Sequence, residues 1–126
     1  MDVEKIIEDT VNRTVMKLQV SGLLRDNRKT AAQKTDDLLK RYPRLQLSDQ
    51  PYTKRLCDKI EDALDVVRPD PYFDIILKLY FEDWTREDVA DYFDTTETTI
   101  SRNKKRLVDM IGDIIFSDDT IFEIFM

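Results

Sequence analysis

Three residues at fixed spacing constrain this chain more than anything else in it. Ala90, Asp94 and Ile100 lie within Thr85-Arg86-Glu87-Asp88-Val89-Ala90-Asp91-Tyr92-Phe93-Asp94-Thr95-Thr96-Glu97-Thr98-Thr99-Ile100-Ser101-Arg102. A small side chain at Ala90 lets a second helix pass close over the first. Asp94 stands at the turn, where the backbone must enter the left-handed region that glycine favours and aspartate tolerates. Ile100 then falls on the inward face of the second helix and packs back on Val89 and Phe93. Thr85 and Thr96 supply N-caps for the two helices, and Asp88 completes an approximate capping box with Thr85. This is the pattern of a helix-turn-helix, whose second helix enters a DNA major groove.

The rest of the chain reads as helix too. Only two Gly and four Pro occur in 126 residues, which leaves few places for tight turns. Val3, Ile6, Ile7, Val11, Val15 and Leu18 recur at helical spacing, and Gly22 is placed to end that helix. A second helix is expected from about Asn27 to Tyr42, with Ala31, Lys34, Thr35, Leu38, Leu39 and Tyr42 on one side and Pro43 as its stop. A third opens at Pro51 or Tyr52 and buries Leu56, Ile60, Ala63, Leu64 and Val67. Pro69-Asp70-Pro71 predicts an extended joint, with Pro71 as the first residue of the next helix. Tyr72, Ile75, Ile76, Leu79 and Tyr80 then form an apolar stripe, which Glu82-Asp83-Trp84 breaks. Ile100, Leu107, Met110, Ile111, Ile114 and Ile115 should share the inner face of a long last helix. Trp84, Tyr92 and Phe93 read as core aromatics. The fold class is therefore all-α, with a helical N-terminal region (1–68), a helix-turn-helix module (69–116) and an apolar tail (117–126).

Composition narrows the function. The chain contains no His, so the usual general base and the commonest transition-metal ligand are missing. Cys57 is the single cysteine, lies in a helical run and reads as a reduced, inert core residue. No Gly-rich phosphate loop occurs. Catalysis, a cofactor and a metal site are not expected. The N-terminus, Met1-Asp2-Val3-Glu4, lacks a basic-then-apolar leader, and no apolar run spans a membrane, so a cytoplasmic location is expected. The net charge is −6, yet the cations concentrate in Arg25 to Arg44 and in Arg102-Asn103-Lys104-Lys105-Arg106. Distribution counts for more than the sum in nucleic-acid binding.

From Ile76 to Leu107 the chain resembles the last helix-turn-helix module of bacterial sigma factors, region 4. The matching residues are Leu77-Lys78-Leu79-Tyr80-Phe81, Thr85-Arg86-Glu87-Asp88-Val89-Ala90, and Thr96 with Ile100. The chain is also similar to the ArpU family of phage and prophage transcriptional regulators. That likeness adds Asp37-Leu38-Leu39-Lys40-Arg41-Tyr42-Pro43-Arg44-Leu45 and Ser101-Arg102-Asn103-Lys104-Lys105-Arg106-Leu107. It implies a regulator of phage late genes that binds promoter-proximal DNA or contacts host RNA polymerase.

On the motif alone, the outward face of the second helix presents Thr96, Glu97, Thr98, Ser101, Arg102 and Lys105 to double-stranded DNA. Arg102 is suited to a bidentate contact with guanine. Glu97 either accepts from a cytosine amine or complements the helix N-terminus. Thr98 can set its methyl on thymine. Lys104, Lys105 and Arg106 read as phosphate contacts, and Arg86 is placed to touch the backbone. Arg25 to Arg44 reads first as alternating charge on an exposed helix, with a second phosphate-contacting surface as the alternative. The tail (Ile121, Phe122, Ile124, Phe125, Met126) either folds back or pairs two copies, a homodimer being the expectation. The competing function is a protein-interaction module that engages host RNA polymerase or a sigma factor without strong DNA binding of its own.

Overall fold

The architecture, taken from a computed structural model that describes residues 28–117, is all-α. The expected first helix and the apolar tail beyond Ser117 lie outside the described residues. Helix α1 (Ala31–Leu45) opens on a reciprocal cap: Thr30 Oγ1 accepts from the Gln33 N–H at 3.1 Å, and Gln33 Oε1 accepts from the Thr30 N–H at 2.9 Å. That cap sets the start at Ala31, four residues later than the apolar spacing suggests, and Ala31 is exposed. Thr35, Leu38, Leu39 and Tyr42 form the buried face.

Pro43 does not stop α1 but lies inside it. Its ring is exposed, it forfeits one intrahelical N–H bond, and only Arg44 and Leu45 of the helix follow it. The Gln46 N–H still closes onto the Tyr42 carbonyl at 3.0 Å. Helix α2 (Pro51–Val67) uses Pro51 as its first residue and buries Leu56, Ile60, Ala63, Leu64 and Val67, with Thr53 added to the expected set. Cys57 is half-buried there, and burial pushes its thiol pKa up, away from the reactive thiolate.

The joint at Pro69-Asp70-Pro71 is turned rather than extended. The Asp70 N–H reaches the Val67 carbonyl and the Phe73 N–H reaches the Asp70 carbonyl, each at 3.0 Å. Residues 71–73 continue as turn, so helix α3 (Asp74–Ile76) begins three residues after Pro71. It runs straight into a π-helical turn, Leu77–Phe81, closed by the Glu82 N–H on the Leu77 carbonyl. Helices α4 (Arg86–Tyr92) and α5 (Glu97–Ile115) complete the described chain.

Two apolar clusters share α5. The larger one joins α1, α2, α3 and the π-turn to Leu107, Val108, Ile111 and Ile115. The smaller one gathers Ile75, Val89, Ala90 and Ile100, and Tyr72 and Leu79 touch both. Met110 departs from the expected inner face, being 39% exposed. The helical period places it beside Arg106 rather than Ile111.

Helices α1 and α5 approach each other closely at Gly112. Gly112 is buried, and a Cβ built there would stand 2.5 Å from Thr35 Oγ1, which itself donates to the Ala31 carbonyl at 2.8 Å. Glycine within a helix costs about 1 kcal/mol relative to alanine, and here it permits the crossing. Gly112→Ala should therefore lower unfolding free energy by about 1–3 kcal/mol through overpacking. In a Thr35→Ala background the same change should cost much less. Urea denaturation of the four proteins in the cycle checks the coupling; strict additivity would refute the contact.

Candidate nucleic-acid interface

The turn between α4 and α5 is built from backbone chemistry that the sequence spacing anticipates. Asp94 adopts φ 52°, in the left-handed region. The Thr95 N–H bonds the Ala90 carbonyl at 2.9 Å and the Asp94 N–H bonds the Asp91 carbonyl at 3.1 Å. Together they make a Schellman motif that satisfies the last carbonyls of α4. Thr85 Oγ1 caps α4 by accepting from the Asp88 N–H at 3.1 Å. Thr96 Oγ1 caps α5 by accepting from the Thr99 N–H at 3.2 Å. Ala90 is 4% exposed under the crossing, and Ile100 is fully buried against Val89, with Phe93 packed beside them.

These two burials fix which face of α5 looks outward. Thr98, Arg102 and Lys105 are all exposed and follow one another at helical spacing. Glu97 is exposed in the first turn, where a carboxylate complements the positive helix end. Arg86, the first residue of α4, is also exposed. Asp109 and Asp113 continue the outward stripe and are exposed as well, so its cationic part ends after Lys105.

Three expected members are placed differently from that stripe. Arg106 forks onto Asp70: Nη1 donates to Oδ2 at 2.7 Å and Nη2 to Oδ1 at 3.0 Å. Asn103 Oδ1 accepts from the same guanidinium, and Asn103 Nδ2 donates to the Thr99 carbonyl at 3.0 Å. Arg106 thereby ties α5 to the α2–α3 joint. Lys104 is half-buried, with Nζ 3.7 Å from Asp36 Oδ1 and 5.3 Å over the Tyr80 ring. Desolvation lowers its pKa; Asp36 opposes that shift, while Arg86 and Lys40 add to it by repulsion. Ser101 is half-buried and borders a cleft beside Lys104 and Lys105.

That cleft, about 790 Å³, is walled by the start of α1, by Arg86 and by the flank of α5 from Ser101 to Val108. Asp36 lies in it. Burial alone would raise the Asp36 carboxyl; hydrogen bonds from Lys40 and Tyr80 and the charge of Lys104 outweigh this and hold it below the usual carboxylate range. The Tyr80 phenol is pushed up by its burial and by the same carboxylate. Arg28, Lys29 and Gln33 also line the cleft, within the segment whose alternative reading is a second phosphate-contacting surface. Their signal is the basic run beginning at Arg25, which reads first as a solvated face.

Tyr92 departs from the expected core: it is 53% exposed. Its ring meets Trp84 edge-on at 5.9 Å, and Lys78 Nζ stands 4.0 Å from the Trp84 centroid and 4.2 Å from that of Tyr92. Among the described residues no group of three or more acidic or thiol side chains is placed to hold a metal ion, and no helix is long and apolar enough to cross a membrane. Comparison with family models, with characterised proteins and with solved structures finds no match for the chain.

Asp94→Gly should raise stability by roughly 1 kcal/mol, because glycine enters the left-handed region without steric penalty; an unchanged or lower denaturation midpoint would refute the strain at that turn. Asp70 is held below the usual range, chiefly by the Arg106 hydrogen bond. Its stabilising effect is thus complete above the unfolded value near 4 and is lost as pH falls through the lower folded value, as for any carboxylate of roughly that ordinary pKa. Stability curves of wild type and Asp70→Asn should differ at neutral pH and converge in acid. A constant offset down to the acid limit would show that the pair is not linked to proton uptake.

Proposed function

We propose that this chain is a sequence-specific DNA-binding transcriptional regulator, reading a major groove with the first half of α5 and resembling the sigma region-4 module. The observation that carries the reading is the exposed Thr98–Arg102–Lys105 stripe on a capped helix, held outward by the Ala90 crossing and the Asp94 turn. Arg102 makes the base contact, with two parallel donors to guanine O6 and N7. Thr98 and Glu97 read neighbouring edges. Arg86 and Lys105 hold phosphates, which position the helix without specifying sequence. An ArpU-type phage regulator would use such a module to control late genes from the cytoplasm.

Contact with RNA polymerase is the second reading, favoured by exposed Tyr92, the half-buried Trp84 it packs on, and their acidic neighbours Asp83, Asp88 and Asp91, which together line a surface concavity. One experiment separates the two. Wild type and Arg102→Ala are each used to select duplexes from a random library, and affinities are then measured with and without polymerase. Wild type should enrich a defined motif, bind it less as salt rises, and need no polymerase to do so. Arg102→Ala should lose about 1–3 kcal/mol of preference at one base pair while keeping most of its affinity for unrelated duplexes. Equal weakening on every duplex would make Arg102 a phosphate contact. Retention of duplex only in the presence of polymerase would favour the second reading.

A further inference from the structure

The cleft beside α5 carries more positive charge than the helix-turn-helix alone brings to it. Arg28 and Lys29, just ahead of α1, line one wall; Arg86 and the α5 residues Ser101, Lys104 and Lys105 line the other. Among the described residues, two carboxylates line the same cleft. Asp37 takes Lys29 at 2.6 Å, and Asp36 takes Lys104 together with Lys40. Among the described residues no carboxylate pairs with Arg86 or Lys105. Cations crowded without matching anions repel one another; burial is the main reason the Lys104 pKa is lowered, and the charges of Arg86 and Lys40 push it the same way. A surplus of this kind inside a concave wall favours an anion brought from outside.

The position of the cleft decides which anion. Lys105 belongs both to the outward stripe of α5 and to the cleft wall, and Ser101 immediately precedes Arg102. A duplex whose major groove sits on that stripe must carry one backbone across the Ser101–Lys105 edge. Resting on the DNA-binding reading above, we propose that this sugar–phosphate strand lies in the cleft, so that Arg28 and Lys29 are phosphate contacts outside the helix-turn-helix. The start of α1 then forms the second jaw of a clamp on the strand. Lys29 exchanges Asp37 for a phosphate oxygen, and the Ser101 hydroxyl donates to another.

The test compares wild type, Lys29→Ala, Arg28→Ala/Lys29→Ala and Lys54→Ala on the motif duplex and on an unrelated duplex, across a salt series. Lys54 is exposed on α2 and does not line the cleft, so its removal reports the effect of net charge alone. Arg28 and Lys29 are exposed, and thermal melting checks that the variants stay folded. The double variant should weaken both duplexes by similar factors and leave motif preference unchanged. It should also reduce the slope of log K against log salt by about 0.9 for each phosphate no longer neutralised, or roughly 2 in all. Lys29→Ala should fall midway, and Lys54→Ala should leave the slope at the wild-type value. A double variant with wild-type slope, or one that matches Lys54→Ala, overturns the clamp while leaving the DNA reading intact. If wild type retains no duplex even at low salt, the DNA reading fails and the clamp falls with it.

Discussion

A single helix packed into two cores is the constraint on which the rest of this structure depends. α5 buries Ile100 in the small cluster with Val89 and Ala90, and seven residues later begins the run Leu107, Val108, Ile111 and Ile115 in the large one. Its rotation about its own axis is therefore set twice. A turn of one residue would pull both apolar faces out of register, and buried side chains of this size each contribute about 1.5–3 kcal/mol. The outward stripe is what those burials leave over. Ala90 and Gly112 serve the same end by admitting neighbouring helices at close range.

Charge is sorted by the same packing. Cations adjacent in sequence, from Arg102 to Arg106, are sent to different places: Arg102 and Lys105 to solvent, Lys104 towards Asp36, and Arg106 to Asp70. The last two stabilise tertiary contacts, linking α5 to α1 and to the α2–α3 joint. Exposed ion pairs contribute little, about 1 kcal/mol or less, but the Arg106 fork has fixed geometry and a second partner in Asn103. An acidic protein thereby keeps a local cationic surface without committing every lysine to it.

Features that depend on local chemistry were legible in the sequence. Thr85 and Thr96 cap because their hydroxyls need only reach an amide three residues on, and Asp94 turns because the helix must end under a left-handed residue. The inward face of α2 followed from apolar period alone. What escaped depends on distant partners. Arg106 meets Asp70 thirty-six residues away, and nothing near either residue announces it. Tyr92 stays exposed because Trp84 and Lys78 partner its ring at the surface. The π-turn at Leu77–Phe81 contains neither glycine nor proline, so no local breaker marks it. Pro43 lies inside α1, against its usual role as a stop, with its ring exposed and only two helical residues after it. The cleft was invisible for the same reason as the ion pairs: its walls come from three helices.

Asp109 and Asp113 bound the cationic part of the outward stripe. From Thr98 to Lys105 the helix rises about 10 Å at roughly 1.5 Å per residue, which spans roughly three base pairs at about 3.4 Å each. Under the DNA-binding reading, carboxylates beyond that would meet phosphates and push the duplex away. Three base pairs distinguish roughly 64 sequences, far fewer than the competing positions of any genome. Under the regulatory reading, one copy thus holds only a syllable of its address, and the remainder must be spelled by another copy or by another protein bound alongside.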